Sequence, residues 1–258
     1  MLTLSMPTLF ASLLVLARVS GALVFVPLPG LRQTPTLVRA ALSLSIVLAL
    51  SPMIPSLAER LPATAPPLSM LTVWLLAEAA FGVSAGLIVS LLVEVPLIAA
   101  QMLGVQAGYS YASTIDPSSE ADSGILLVIS QLFSWLLLLA FGIDRHVIRT
   151  FAASLETIPP GTFAITPELT DLVMRLFSGV FRTGVRLAMP VVATLLLTDI
   201  AFALLGRVNA QLQLLTMAFP LKMLAALALL AVLTPTYRAL FESSAFETVG
   251  ALGRLVHP

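Results

Sequence analysis

Six stretches of this chain are apolar over about the length needed to cross a bilayer, and that feature decides what the chain can fold into. A spanning helix needs about 20 mostly apolar residues. The runs are Leu9 to Leu28, Leu37 to Ile54, Ser69 to Val93, Ile125 to Ile143, Leu187 to Leu205 and Leu214 to Leu233. In hydrocarbon every backbone N–H and C=O must be paired within its own segment, which selects helices for runs of this length. The expected fold class is therefore an all-α membrane protein, with about six long apolar helices arranged as hairpins. Composition agrees, since 59% of residues are hydrophobic and only 10% charged. A soluble domain carries roughly 25% charged residues. Prolines supply the expected stops: Pro52 and Pro55 after the second run, and Pro235 after the sixth.

Two stretches do not read as simple spans. From Thr166 to Arg186, Leu169, Leu172, Val173, Leu176, Phe177, Val180 and Phe181 recur at helical spacing, with Asp171, Arg175, Arg182 and Arg186 largely opposite. Thr166 suits an N-cap, with Pro167 at the first helical position and Glu168 in the first turn. This helix is expected to run into the fifth segment, with a kink near Pro190, and so to reach nearly 60 Å at about 1.5 Å per residue. The fourth segment is expected to continue in the same way through Arg145, Arg149 and Glu156 to the break at Ile158-Pro159-Pro160-Gly161. The second irregular stretch, Gly108 to Gly124, is rich in small, hydroxylic and acidic residues, which favour a loop. It is either an ordinary exposed connection or a buried, pore-lining segment.

The charge pattern limits function. Formal net charge is zero, 12 of the 13 basic residues are Arg, and no basic cluster points to nucleic acid. There is no cysteine for disulfides or thiolate chemistry. The first charge, Arg18, lies inside the first apolar run rather than before it, so a retained N-terminus is expected rather than a removable signal. Arg60, Arg145, Arg149, Arg175, Arg238 and Arg254 would share one side of a six-span topology, which places both termini in the cytoplasm.

No enzyme class is supported. His146 and His257 form no H-E-x-x-H pair, and no phosphate-cradling loop precedes a Lys-Ser/Thr pair. An intramembrane aspartyl site would need a second aspartate facing Asp199, but Asp144 lies at a helix end and Asp116 in a loop. Lys222, the only lysine, has no recognisable serine motif beside it. The expectation is a protein that is not an enzyme and carries no cofactor and no metal.

Glu78, Asp199 and Lys222 lie within apolar segments, where charge is costly and usually faces protein or water. Asp199 and Lys222 could pair across consecutive segments, or Lys222 could snorkel to an interface. Gly82, Gly86 and Ser90 line one face, and Ala100, Gly104 and Gly108 another, as close helix packing requires. Gln101 and Gln106 add polar contacts, and Pro220 predicts a kink in the sixth run. A small-molecule secondary transporter would use such buried charges too, but it predicts inverted repeats that are not visible.

Two motifs point further. Gln101-Met-Leu-Gly104-Val-Gln106-Ala-Gly108-Tyr-Ser-Tyr-Ala-Ser-Thr-Ile-Asp116-Pro117 resembles the G-x-Q-x-G-x-S-x-A-x-x-x-D-P pattern of the FliR family of flagellar and type III secretion export-gate proteins. Asp199 to Gln213, followed by Phe219-Pro220-Leu221-Lys222, resembles that family's D-x-x-x-x-x-x-x-R-x-x-P-Q-x-N block and F-P-x-K ending. Ala210, Gln213 and Ala218 depart from it.

The resemblance implies a role as one subunit of a flagellar export gate in the bacterial inner membrane, at the basal body. Its partners would be FliP-type and FliQ-type subunits, an FlhB-type protein, unfolded export substrates and membrane lipid. It implies a FliP-like part over residues 1–185, containing a plug loop at 108–123, and a FliQ-like hairpin with a tail over 186–258. The plug residues would be Gly108, Tyr109, Ser110, Tyr111, Ala112, Ser113, Thr114, Ile115, Asp116 and Pro117. Subunit packing would fall to Gly82, Gly86, Gln101, Gly104, Gln106, Asp199, Arg207, Gln211, Pro220 and Lys222.

Overall fold

The structure is a computed structural model and describes residues 5–27, 35–62, 66–109, 125–159, 161–208 and 214–256. Among them there are helices and no strands: α1 (Met6–Phe25), α2 (Thr36–Ala49), a 3-10 turn (Ser51–Met53), α3 (Ile54–Ala58), α4 (Leu68–Ala107), α5 (Ile125–Ala140), α6 (Ile143–Thr157), α7 (Pro167–Val208) and α8 (Leu214–Val256). Among the described residues four helices are long and apolar enough to cross a membrane, or up to six if each of the bent pairs α2–α3 and α5–α6 is one span. The all-α fold class expected from the sequence is the one observed.

The ends of several elements differ from expectation, and proline is the main reason. The third apolar run does not stop at Val93. It continues through Pro96 to Ala107 as one 40-residue helix. Likewise α8 passes through both Pro220 and Pro235 to Val256, whereas α7 runs on through Pro190 into the fifth apolar run as expected. Proline deletes one hydrogen bond to the residue four back, but a long apolar helix keeps all the others. Pro52 and Pro55 instead occupy the second positions of the short helices that follow α2, within the first turn, where the missing N–H would have no intrahelical partner anyway. The α7 start is as expected: Thr166 Oγ1 accepts the Leu169 N–H at 3.3 Å.

The expected continuation of the fourth run does occur, but with a bend. Helix α5 ends at Ala140 and α6 starts at Ile143, with axes 60° apart. Gly142 makes the break at φ 66°, a conformation that costs a non-glycine residue energy.

The chain divides into two compact units. The first comprises residues 1–92, 138–176 and 245–258. Its α1 presents Ala11, Val15, Val19 and Leu23, four residues apart on one stripe, to Val47, Leu50, Ile54 and Leu57. Its α4 buries Phe81, Ala85, Ile88 and Val89 against Phe151 and the end of α8. Phe81 meets Phe151 and Phe163 edge-on, with centroids 6.1 and 5.3 Å apart. The α1–α4 crossing is very close, because Gly82 and Gly86 lie against the α1 backbone at Arg18 and Ala22, and Gly21 against Ala79.

The second unit comprises residues 93–137 and 177–244. Its core joins Ala100, Leu103 and Ala107 of α4 to Leu126 of α5, Val191 and Leu195 of α7, and Ala226 of α8. Gly184 lets α7 approach the Val95 carbonyl and the Ile98 side chain. Phe133 packs edge-on against Tyr237 at 5.4 Å.

Candidate functional site

In the second unit the end of α4, the last turns of α7 and the first turns of α8 converge on a polar cluster. Helix α4 stops at Gly108, whose φ of 88° only glycine adopts freely. Gly108 N–H donates to Val105 O at 3.2 Å, and Tyr109 N–H donates to Gly104 O at 2.9 Å. This pair of bonds is the Schellman termination, in which two orphan carbonyls of the last turn are satisfied by the residues that leave it. The Tyr109 hydroxyl then donates to the Met223 carbonyl of α8 at 3.0 Å. Burial pushes the Tyr109 phenol above its ordinary pKa, so it stays a neutral donor. The chain therefore leaves α4 held at both its backbone and its first side chain.

The charges lie close by. Lys222 Nζ contacts Asp199 Oδ1 at 2.7 Å and Oδ2 at 3.0 Å, and Gln106 Nε2 donates to the same Oδ2 at 3.0 Å. Of the two possibilities open for Lys222, pairing is the one found, not snorkelling. Its side chain is 9% exposed and that of Asp199 is 40% exposed. An ammonium this buried would be costly alone, and the carboxylate with the Gln106 amide gives it a partner. The three side chains tie α4, α7 and α8 together beside the start of the 110–124 segment. Exchanging the charges in an Asp199→Lys/Lys222→Asp double variant is expected to restore much of the folded yield that either single change loses. Immunoblotting of membranes would show it, and a double variant no better than the singles would remove the pairing.

The other expected site residues scatter. Ser110, Tyr111, Ala112, Ser113, Thr114, Ile115, Asp116, Pro117 and Gln211 lie outside the described residues. Arg207 and Gln101 are exposed on α7 and α4 and do not join the cluster. Gly104 has open space beside its Cα. Pro220 lies within α8, two residues before Lys222. The small-residue face of Gly82 and Gly86 lies against α1 of the same chain, because only a helix without Cβ atoms there admits the α1 backbone so closely.

Sequence reasoning also missed a second cluster, in the first unit. Arg18 of α1 makes a two-pronged ion pair with Glu78 of α4, Nε to Oε2 at 2.5 Å and Nη2 to Oε1 at 3.1 Å, with side chains 1% and 2% exposed. Arg18 Nη1 donates to Ser154 Oγ at 2.9 Å, and its guanidinium carbon stands 4.5 Å from the Phe81 ring centroid. The Gly161 N–H donates to Glu78 Oε1 at 2.9 Å. The available signal was an arginine and a glutamate each inside an apolar run, since such charges pair or fail.

A helical chain with four to six bilayer-length apolar segments, closely crossed helices and ion pairs inside them is a multi-pass membrane protein. Residues 9–248 match the family described as bacterial export proteins, family 1, and the chain belongs to that family. The flagellar biosynthetic protein FliR of Escherichia coli K12 is 25% identical over 242 residues, covering 93% of this chain and 90% of that one. The protein of the same name from Caulobacter vibrioides is 26% identical over 242 residues, covering 90% and 95%. Its namesake in Aquifex aeolicus is 29% identical over 150 residues, 58% of each chain.

Proposed function

We propose that this chain is a subunit of the flagellar type III export gate in the bacterial inner membrane at the basal body. It forms part of the channel for unfolded substrate proteins together with FliP-type and FliQ-type subunits and an FlhB-type partner, and it carries out no catalysis. Its relatives' names place them in flagellar biosynthesis. The observation that carries the reading beyond those names is the length of uncovered apolar surface on α7. Large exposed apolar side chains run from Phe177 (60% exposed) through Leu197 (66%) to Leu205 (55%), with Arg182 and Arg186 exposed among them. At about 1.5 Å per residue these 28 steps cover roughly 42 Å, more than the ~30 Å hydrocarbon core even at an ordinary tilt. Sister helices account for the excess, which is the arrangement of a gate subunit.

In this reading the Gly108–Ser123 segment is the channel plug, and the Schellman turn and the Tyr109 hydroxyl fix where it leaves the helices. Residues 1–185 form the FliP-like part and 186–258 the FliQ-like hairpin, with the junction inside α7. The test is affinity purification of the tagged chain, co-expressed with its own FliP- and FliQ-type subunits, followed by mass spectrometry of the intact complex. The expected result is a large mixed complex containing one copy of this chain. A lone monomer or homodimer would overturn the reading.

A further inference from the structure

The first unit contains a cavity of about 730 Å³ that neither ion pair uses. That volume falls within the ~300–1,000 Å³ common to small-molecule sites. Its apolar wall comes from Ile158 and Phe163 after α6, Leu169 and Leu172 in the first turns of α7, and Leu255 and Val256 in the last turn of α8. Two cations, Arg175 and Arg254, line the same space. Both are exposed, and neither has an ion-pair partner among the described residues. The one carboxylate on the wall, Glu168, hydrogen-bonds Thr166 at the start of α7, where the helix N-terminus also favours its charge.

The cavity lies at the start of α7 and the end of α8, long helices that each contain a bilayer-length apolar window. Arginines on helix stretches outside such a window reach lipid headgroups along their flexible stems. A small inorganic anion would satisfy the arginines and leave the apolar wall wet. A neutral lipid would cover the wall and leave both cations without a partner. We propose that this cavity holds an anionic phospholipid, with one acyl chain against Leu169, Leu172 and Leu255 and its phosphate bridged by Arg175 and Arg254. Arginine suits this task because its planar guanidinium presents paired donors to a phosphate. The lipid would bridge the start of α7 and the end of α8, whether or not the protein serves an export gate.

The test titrates the full-length, delipidated protein in mild detergent with phosphatidylglycerol or phosphatidylcholine and counts bound lipid by native mass spectrometry. One phosphatidylglycerol is expected to bind about tenfold more tightly than phosphatidylcholine, with the Arg175→Gln/Arg254→Gln variant removing that preference. Leu172→Trp, which fills the apolar part, is expected to weaken both lipids while the arginines remain. Equal binding of the two lipids by the unaltered protein would overturn the proposal, as would an unchanged preference in the double variant. The same titration on the chain co-purified with its sister subunits separates a lipid from a protein segment. Phosphatidylglycerol retained there supports the lipid, and its loss on assembly would mean that a neighbouring chain fills the cavity and the proposal fails.

Discussion

Glu78→Ala is expected to cost the detergent-solubilised protein on the order of 3–5 kcal/mol, the usual penalty for removing one member of a buried ion pair. The change leaves the Arg18 guanidinium, 1% exposed, without its carboxylate, and the Gly161 N–H without its acceptor. Ser154 and the Phe81 ring remain beside Arg18, but neither supplies a negative charge. The loss would be read as a large fall in the thermal midpoint, followed by tryptophan fluorescence. The double variant Arg18→Met/Glu78→Leu keeps volume and removes both charges, so it should recover most of the loss. A Glu78→Ala protein that melts with the unaltered one would sink this account, as would a double variant no more stable than the single.

The second large effect concerns Gly82. A Cβ there would overlap the carbonyl oxygen of Arg18 and press on the Ala22 amide, both backbone atoms that cannot turn aside. Overpacking alone costs roughly 1–3 kcal/mol. Here α1 carries both the obstructed carbonyl and the guanidinium that reaches back to Glu78, so forcing the helices apart also stretches the ion pair. Gly82→Ala is therefore expected to approach the damage of Glu78→Ala, and the two changes together should cost less than their sum because they break the same contact. Gly179→Ala is the control. Nothing lies within 4 Å of its added carbon, and alanine favours a helix over glycine by roughly 1 kcal/mol. Equal midpoints for Gly82→Ala and Gly179→Ala would show that α1 and α4 do not cross as closely as described.

What the sequence revealed and what it hid follow from the range of the forces involved. Apolar runs are local, so all six could be placed from composition, and the Thr166 cap could be read from three neighbouring residues. The α7 continuation was legible because its apolar stripe keeps helical spacing into the next run. Helix ends were less legible where proline seemed to close a segment. Pro235 costs only the one hydrogen bond that the Ala231 carbonyl would accept, and α8 continues through it. The Gly142 break was hidden for the opposite reason, since a glycine in an apolar run carries no mark of its φ. At the candidate site, Asp199 and Lys222 could be matched because they sit 23 residues apart on consecutive runs. Arg18 and Glu78 could not, because 60 residues separate them and their remaining partners come later still. The face against which Gly82 and Gly86 pack was hidden as well, since a small-residue stripe names no partner.

That long separation has a consequence for biogenesis. Arg18 and Glu78 are both made well before Gly161, which follows Glu78 by 83 residues and supplies one of its hydrogen bonds. At a synthesis rate of about 5–20 residues per second the interval is roughly 4–17 s. For that time the early helices carry a charged pair whose cage is incomplete. The insertion machinery must shelter that pair until the α6–α7 connection arrives. A chain that ends between Glu78 and Gly161 holds both charges but lacks the Gly161 N–H that completes the Glu78 carboxylate's hydrogen bonds.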